Sequence, residues 1–117
     1  MEYGCPAWST CLNEGQITAL EEVQKRSLRI ITGSSQYDES MEQLHLESLE
    51  CRRTNLAKSF FQQALNVSSC LYSLIPMPRD SQTTSRLRSA NNFPISAPRT
   101  EHFRKSLIQW GLLHWQT

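Results

Sequence analysis

The stretch Asn13 to Gly33, NEGQITALEEVQKRSLRIITG, carries the start, body and stop of a helix in one run. Asn13 and Gln16 stand at the spacing of a capping box, and Leu12 is placed to staple onto Ile17. Ile17, Leu20, Val23, Ser27, Leu28, Ile30 and Ile31 fall on one side of a helical wheel, which predicts that this side is buried. Gly33 follows the last periodic residue, where a helix ends most easily in the left-handed conformation. Opposite, Glu21 with Lys25 and Glu22 with Arg26 are spaced i,i+4 in the favourable order. Arg29 extends this charged side toward the C-terminal end, where positive charge suits the helix dipole.

Downstream, Ser48 opens a second long helix running to about Asn66. Leu49, Leu56, Ala57, Phe60, Phe61, Ala64 and Val67 give it one broad apolar face. The two long helices are expected to form the core by packing on each other. Arg53 lies inside the apolar arc and Arg52 near its edge. Arg53 reads either as a cation positioned for a phosphate or a neighbouring carboxylate, or as a stem laid on the core with its head turned outward. Between the helices, Ser34 to Gln36 is a turn, and Asp38 can cap a short helix to about His45. His45 has no second ligand at metal spacing and reads as a half-buried helix-end histidine.

Upstream, residues 1–12 read as extended or turn-like, because Pro6 pushes Cys5 away from helical geometry. Trp8 reads either as a stacking platform for a base or as a core aromatic anchoring the first long helix. Past Ser68 and Ser69, Cys70 to Ile75 can form a short helical turn burying Leu71, Leu74 and Ile75, ended by Pro76 and Pro78. From 76 to 98 the composition shifts to Ser, Thr, Asn, Arg and Pro, as in a loop or linker. Short strands at 86–90 and 99–103 leave a β-hairpin open there. Ser106 to Gln116 predicts a last helix whose Leu107, Ile108, Trp110, Leu112, Leu113 and Trp115 are apolar nearly all round. Such a helix needs more than one neighbour. The expected fold is mostly α: a helical region over 1–75, a basic irregular segment over 76–105 and a C-terminal helix over 106–117.

At 117 residues the chain is one domain or less. Its 38% hydrophobic content and mean hydropathy of −0.49 allow only a small core. The net charge of +1 advertises no partner by itself. Its distribution is less even: residues 1–70 hold six Lys/Arg against nine acids, and residues 71–117 hold six against two, −3 and +4. A basic tail on an acidic half points to interaction through the tail. The four cysteines contain no C-x-x-C pair and read as reduced thiols. Neither a secretory signal nor a membrane-length apolar run is visible, so an intracellular setting, nuclear or cytoplasmic, is expected.

The wording of these segments carries a resemblance. Met1-Glu2-Tyr3-Gly4-Cys5-Pro6-Ala7-Trp8, followed by Ala19-Leu20-Glu21-Glu22-Val23-Gln24-Lys25-Arg26-Ser27-Leu28-Arg29-Ile30-Ile31-Thr32-Gly33, resembles the C-terminal part of LINE-type (non-LTR) retrotransposon reverse transcriptases. Tyr37-Asp38-Glu39, Leu46 to Arg53, Pro76-Met77-Pro78-Arg79 and Arg99 to Ser106 are similar to later stretches of that family, in the same order. The resemblance places the chain in the thumb and the post-thumb region, downstream of the polymerase palm. Met1 stands where the family has an internal apolar residue, so the reading frame is expected to be a shortened copy begun at an internal methionine.

The parent family is an RNA-directed DNA polymerase that uses Mg²⁺ held by an adjacent aspartate pair and a further aspartate. This chain has two aspartates, Asp38 and Asp80, far apart in sequence. The chain is therefore expected to be non-catalytic and to hold no cofactor. A thumb grips a duplex through phosphate contacts, which need cations on rigid elements. The resemblance favours Lys25, Arg26, Arg29, Arg52 and Arg53; charge counting favours Arg79, Arg86, Arg88, Arg99, Arg104 and Lys105. Glu21 and Glu22 can neutralise Lys25 and Arg26, leaving a merely solvated face as the other reading, whereas the tail cations are expected to be without such partners. The expected partners are an RNA or DNA backbone and the absent palm and upstream thumb. The alternative is a helical interaction piece that binds protein or itself, without nucleic acid.

Overall fold

The computed structural model describes residues 2–88 and 91–114; the expectations for Met1, Ala90, Trp115 and Gln116 lie outside the described residues. The chain forms α1 (Cys5–Trp8), α2 (Glu14–Thr32), α3 (Tyr37–Gln43), α4 (Leu49–Ala64), α5 (Ser81–Arg86), α6 (Glu101–Arg104) and α7 (Leu107–His114). Tight 3-10 turns occupy Ser9–Cys11 and Tyr72–Leu74, and no strand forms among the described residues. The fold is a small, mostly α bundle.

Local chemistry sets the two long helices. Asn13 Oδ1 accepts from the Gln16 N–H at 2.8 Å, and Gln16 Oε1 accepts from the Asn13 N–H at 3.1 Å, completing the capping box of α2. Its far end closes at Gly33, left-handed at φ 69°, whose N–H donates to the Arg29 carbonyl. Ser48 Oγ caps α4 by accepting from the Cys51 N–H at 3.2 Å.

The centre of the bundle is α4. Leu49, Arg53, Ala57, Phe61 and Ala64 form its buried seam, a row of mostly i,i+4 steps. α1, α2, α7 and the Ser9–Cys11 turn all pack on α4. Cys5, Leu28 and Leu112 supply the remaining buried apolar side chains among the described residues. The last helix thus docks on the first region rather than standing apart. The core stays small for the chain length. The radius of gyration is 18.0 Å, against about 13 Å for a compact chain of this size.

Several expectations need correction. Residues 5–8 are helical, not extended: Gly4 turns the chain at φ 60°, and Pro6 falls in the first turn, where its missing N–H costs nothing. The hairpin does not form among the described residues. Instead Thr84 Oγ1 of α5 donates to the carbonyl of Asp80, the residue before that helix, and Thr100 Oγ1 caps α6 by accepting from the Phe103 N–H. In the 70–75 turn Leu71 and Ile75 are half-buried, but Leu74 is exposed. Asp38 lies in the first turn of α3, one residue inside it, and Gln36 holds the cap position.

His45 is exposed, with φ 51°. Its N–H donates to the Glu42 carbonyl and the Leu46 N–H to the Met41 carbonyl, the paired bonds of a Schellman end. Histidine is among the few non-glycine residues enriched at such angles. A backbone role accounts for it.

The largest difference concerns α2. Leu28 is its one buried residue, with Ile17, Leu20, Glu21, Gln24, Lys25 and Thr32 half-buried. The inward side has turned away from Val23, Ile30 and Ile31, which are 48%, 77% and 70% exposed. α3 packs on α2. Gln24 Nε2 donates to the Tyr37 hydroxyl at 3.1 Å, and Thr32 Oγ1 shares a hydrogen bond with buried Ser40 at 3.0 Å. These contacts lie on the same side of α2 as buried Leu28. On α4, too, Leu56 and Phe60 are partly exposed, and Val67 just beyond it is exposed.

Candidate nucleic-acid interface

The eleven predicted cations divide into four groups once placed on the fold. Arg26 and Arg29 are exposed on α2, three residues apart and so neighbours on its surface, and neither makes an ion pair among the described residues. Lys25 is engaged locally. Its Nζ lies 2.9 Å from Glu22 Oε1 and 5.4 Å from the centre of the Tyr37 ring. The expected partner Glu21 is taken instead by the Tyr37 hydroxyl, which donates to its Oε1. Burial, then the bonded Glu21 carboxylate, pushes the Tyr37 hydroxyl up to about 12. The predicted pairing of Arg26 with Glu22 does not form.

The second group is on α4. Arg52 Nη2 binds Glu2 Oε2 at 3.1 Å, tying the N-terminal segment to the helix. Arg53 is only 3% exposed and its Nη2 has no hydrogen-bond partner among the described residues. A guanidinium inside the seam does not reach the backbone of a duplex lying on the surface. Arg53 leaves the interface set.

The third group lies in the tail and corrects an expectation. Glu101 neutralises both Arg104, which donates to its Oε2, and Lys105, whose Nζ lies 3.8 Å from its Oε1. The hydrogen bond from Arg104 holds the Glu101 carboxyl below its ordinary range. Charge counting missed this because it read the tail as irregular, whereas α6 brings i,i+3 and i,i+4 positions together. In the fourth group, Arg79 is half-buried, its N–H donating to the Asn92 carbonyl at 2.8 Å. Arg86, Arg88 and Arg99 are exposed without ion pairs among the described residues.

Trp8 is half-buried, and its Nε1–H donates to the Tyr3 carbonyl at 3.0 Å, closing the N-terminal turn. The bond engages the edge of the indole and leaves both readings of its ring face open. Trp110 instead stacks on His114, ring centres 4.9 Å apart. Burial pushes the Cys5 thiol up, and all four cysteines are free thiols.

Asp38 lies in α3 and Asp80 at the start of α5; no group of three His, Cys, Asp or Glu able to hold a metal occurs among the described residues. No helix among the described residues is long and apolar enough to cross a membrane. Comparison of the chain with protein-family models, curated proteins and solved structures finds no match.

Proposed function

We propose that this chain is a non-catalytic thumb and post-thumb piece of a LINE-type reverse transcriptase, holding an RNA or DNA backbone through phosphate contacts. The observation that carries the reading is the exposed pair Arg26 and Arg29 on α2, rigidly mounted and without carboxylate partners among the described residues. Exposed Arg86, Arg88 and Arg99, and half-buried Arg79, are the tail cations left to join them. Lys25, Arg52, Arg104 and Lys105 bring charge that carboxylates already offset, and contribute less. Polymerisation belongs to the palm of the parent enzyme and its Mg²⁺, not to Asp38 or Asp80. Binding to an RNA–DNA hybrid, read by fluorescence anisotropy, should be measurable at low salt and fade as salt rises. Affinity that is absent at low salt would remove this function.

One observation favours a second reading, a helical interaction piece. Val23, Ile30 and Ile31 leave an apolar strip uncovered on α2. In that reading the strip meets protein, from the absent palm and upstream thumb or from another copy of the chain. Association would then persist at high salt, and Ile30→Glu would weaken it.

A further inference from the structure

Arg53, Thr10 and Trp110 meet at a cavity that the phosphate-holding reading does not use. The cavity measures about 160 Å³ and lies between the Ser9–Cys11 turn, the start of α2, the inner seam of α4 and α7. Ser9, Thr10, Glu50, Arg53, Thr54 and Trp110 are among its walls. Arg53 is only 3% exposed, with no ion pair among the described residues, and its Nη2 lacks any hydrogen-bond partner there. Thr10 Oγ1, also on the wall, is buried and equally unpartnered. Two orphaned groups, one a cation and one a hydroxyl, therefore border the same space.

A guanidinium cannot relieve its burial by giving up its proton, as a lysine or histidine can. Water can occupy the cavity and hydrogen-bond to Arg53 but brings no countercharge, and the Glu50 carboxylate on the wall forms no ion pair with the guanidinium among the described residues. An anion answers both needs. Guanidinium donors suit oxyanions, and hydroxyls at Ser9, Thr10 and Thr54 can donate to further oxygens. Size then selects among anions. The volume is below the roughly 300–1,000 Å³ of ordinary small-molecule pockets, which suits a single tetrahedral group with the rest of any larger molecule left in solvent. The Glu50 carboxylate, on the exposed side of the wall, opposes the anion and weakens its binding.

We infer that this cavity is a binding site for one phosphate group, held by Arg53 with the Thr10 hydroxyl. It is independent of the duplex contacts proposed above, since Arg53 is not on the surface. The full chain, titrated with sodium phosphate at ionic strength held constant with sodium chloride, should show saturable NMR shifts at Thr10, Thr54 and the Trp110 indole. Its Tm should rise with phosphate and not with chloride. Arg53→Met should weaken phosphate at least tenfold, and Thr10→Val several-fold. Should Arg53→Met not fold, Glu50→Gln is the second arm and should tighten phosphate several-fold. Two probes separate the sources. A 5′-phosphorylated dinucleotide that moves the same resonances assigns the phosphate to a nucleic-acid end; one that leaves them while inorganic phosphate moves them assigns it to the free ion. Phosphate indistinguishable from chloride, or unaffected by either Arg53→Met or Glu50→Gln, overturns the site. Phosphate binding here without any hybrid binding would overturn only the duplex reading.

Discussion

Gly111 of α7 lies flat against the ring of Phe61 on α4. A Cβ built at Gly111 would sit 2.2 Å from Phe61 Cδ2, closer than atoms approach. Both residues are buried, and the ring fills the centre of the seam. Glycine is a poor helix former, so its place mid-helix is explained by this crossing and not by propensity. Gly111→Ala should destabilise the protein by about 1–3 kcal/mol, read by chemical denaturation. Phe61→Leu in the same chain should recover part of that destabilisation, the two changes being non-additive. A change under about 0.5 kcal/mol for Gly111→Ala would mean that α7 does not pack on α4 in this way.

The rotation of α2 predicts a contrast between near neighbours. Leu28→Ala, inside the bundle, should cost about 2–5 kcal/mol. Ile30→Ala, on the open strip, should stay within about 0.5 kcal/mol. Denaturation midpoints of the two variants check this, and equal costs would show that the whole apolar stripe is covered.

Tyr37 couples α3 to α2 through Glu21 and Gln24, and its raised hydroxyl gives a pH signature. Well below pH 10.0 the hydroxyl is protonated whether the chain is folded or not. Above it the unfolded chain releases the proton first, so stability falls as pH rises toward about 12. Tyr37→Phe should lower stability by about 1 kcal/mol at neutral pH. It should also remove the part of the alkaline destabilisation due to this group. Denaturation midpoints for both proteins across about pH 9 to 12 check this; parallel curves would contradict it.

Some of this architecture is legible from residues alone, and physics says which part. The caps of α2 and α4 depend on side chains within three residues, so Asn13, Gln16, Gly33 and Ser48 announce them directly. Arg53 falls inside the arc of α4 by periodicity, and it is indeed buried. What is not legible depends on a partner. Gly111 carries no signal until Phe61 is opposite it. The inward side of α2 carries Ile17, Leu20 and Leu28 together with the hydrogen bonds to Tyr37 and Ser40, and the stripe by itself does not show which of its apolar residues α3 and α4 cover. Among the candidate cations, chain position does not reveal that Glu101 serves two of them. Nor does it reveal that Thr10 and Arg53, far apart in sequence, face one cavity.

Arg26 and Arg29 are proposed to grip phosphates, and the most direct test of that central claim is a salt slope. Binding of an RNA–DNA hybrid is measured by anisotropy from low to moderate salt, for the wild type and for Arg26→Gln/Arg29→Gln. Removing one phosphate contact should reduce the magnitude of the slope of log affinity against log salt by about one. The double variant should therefore show a slope shallower by about two, with weaker binding to all sequences alike. An unchanged slope and affinity would contradict the claim.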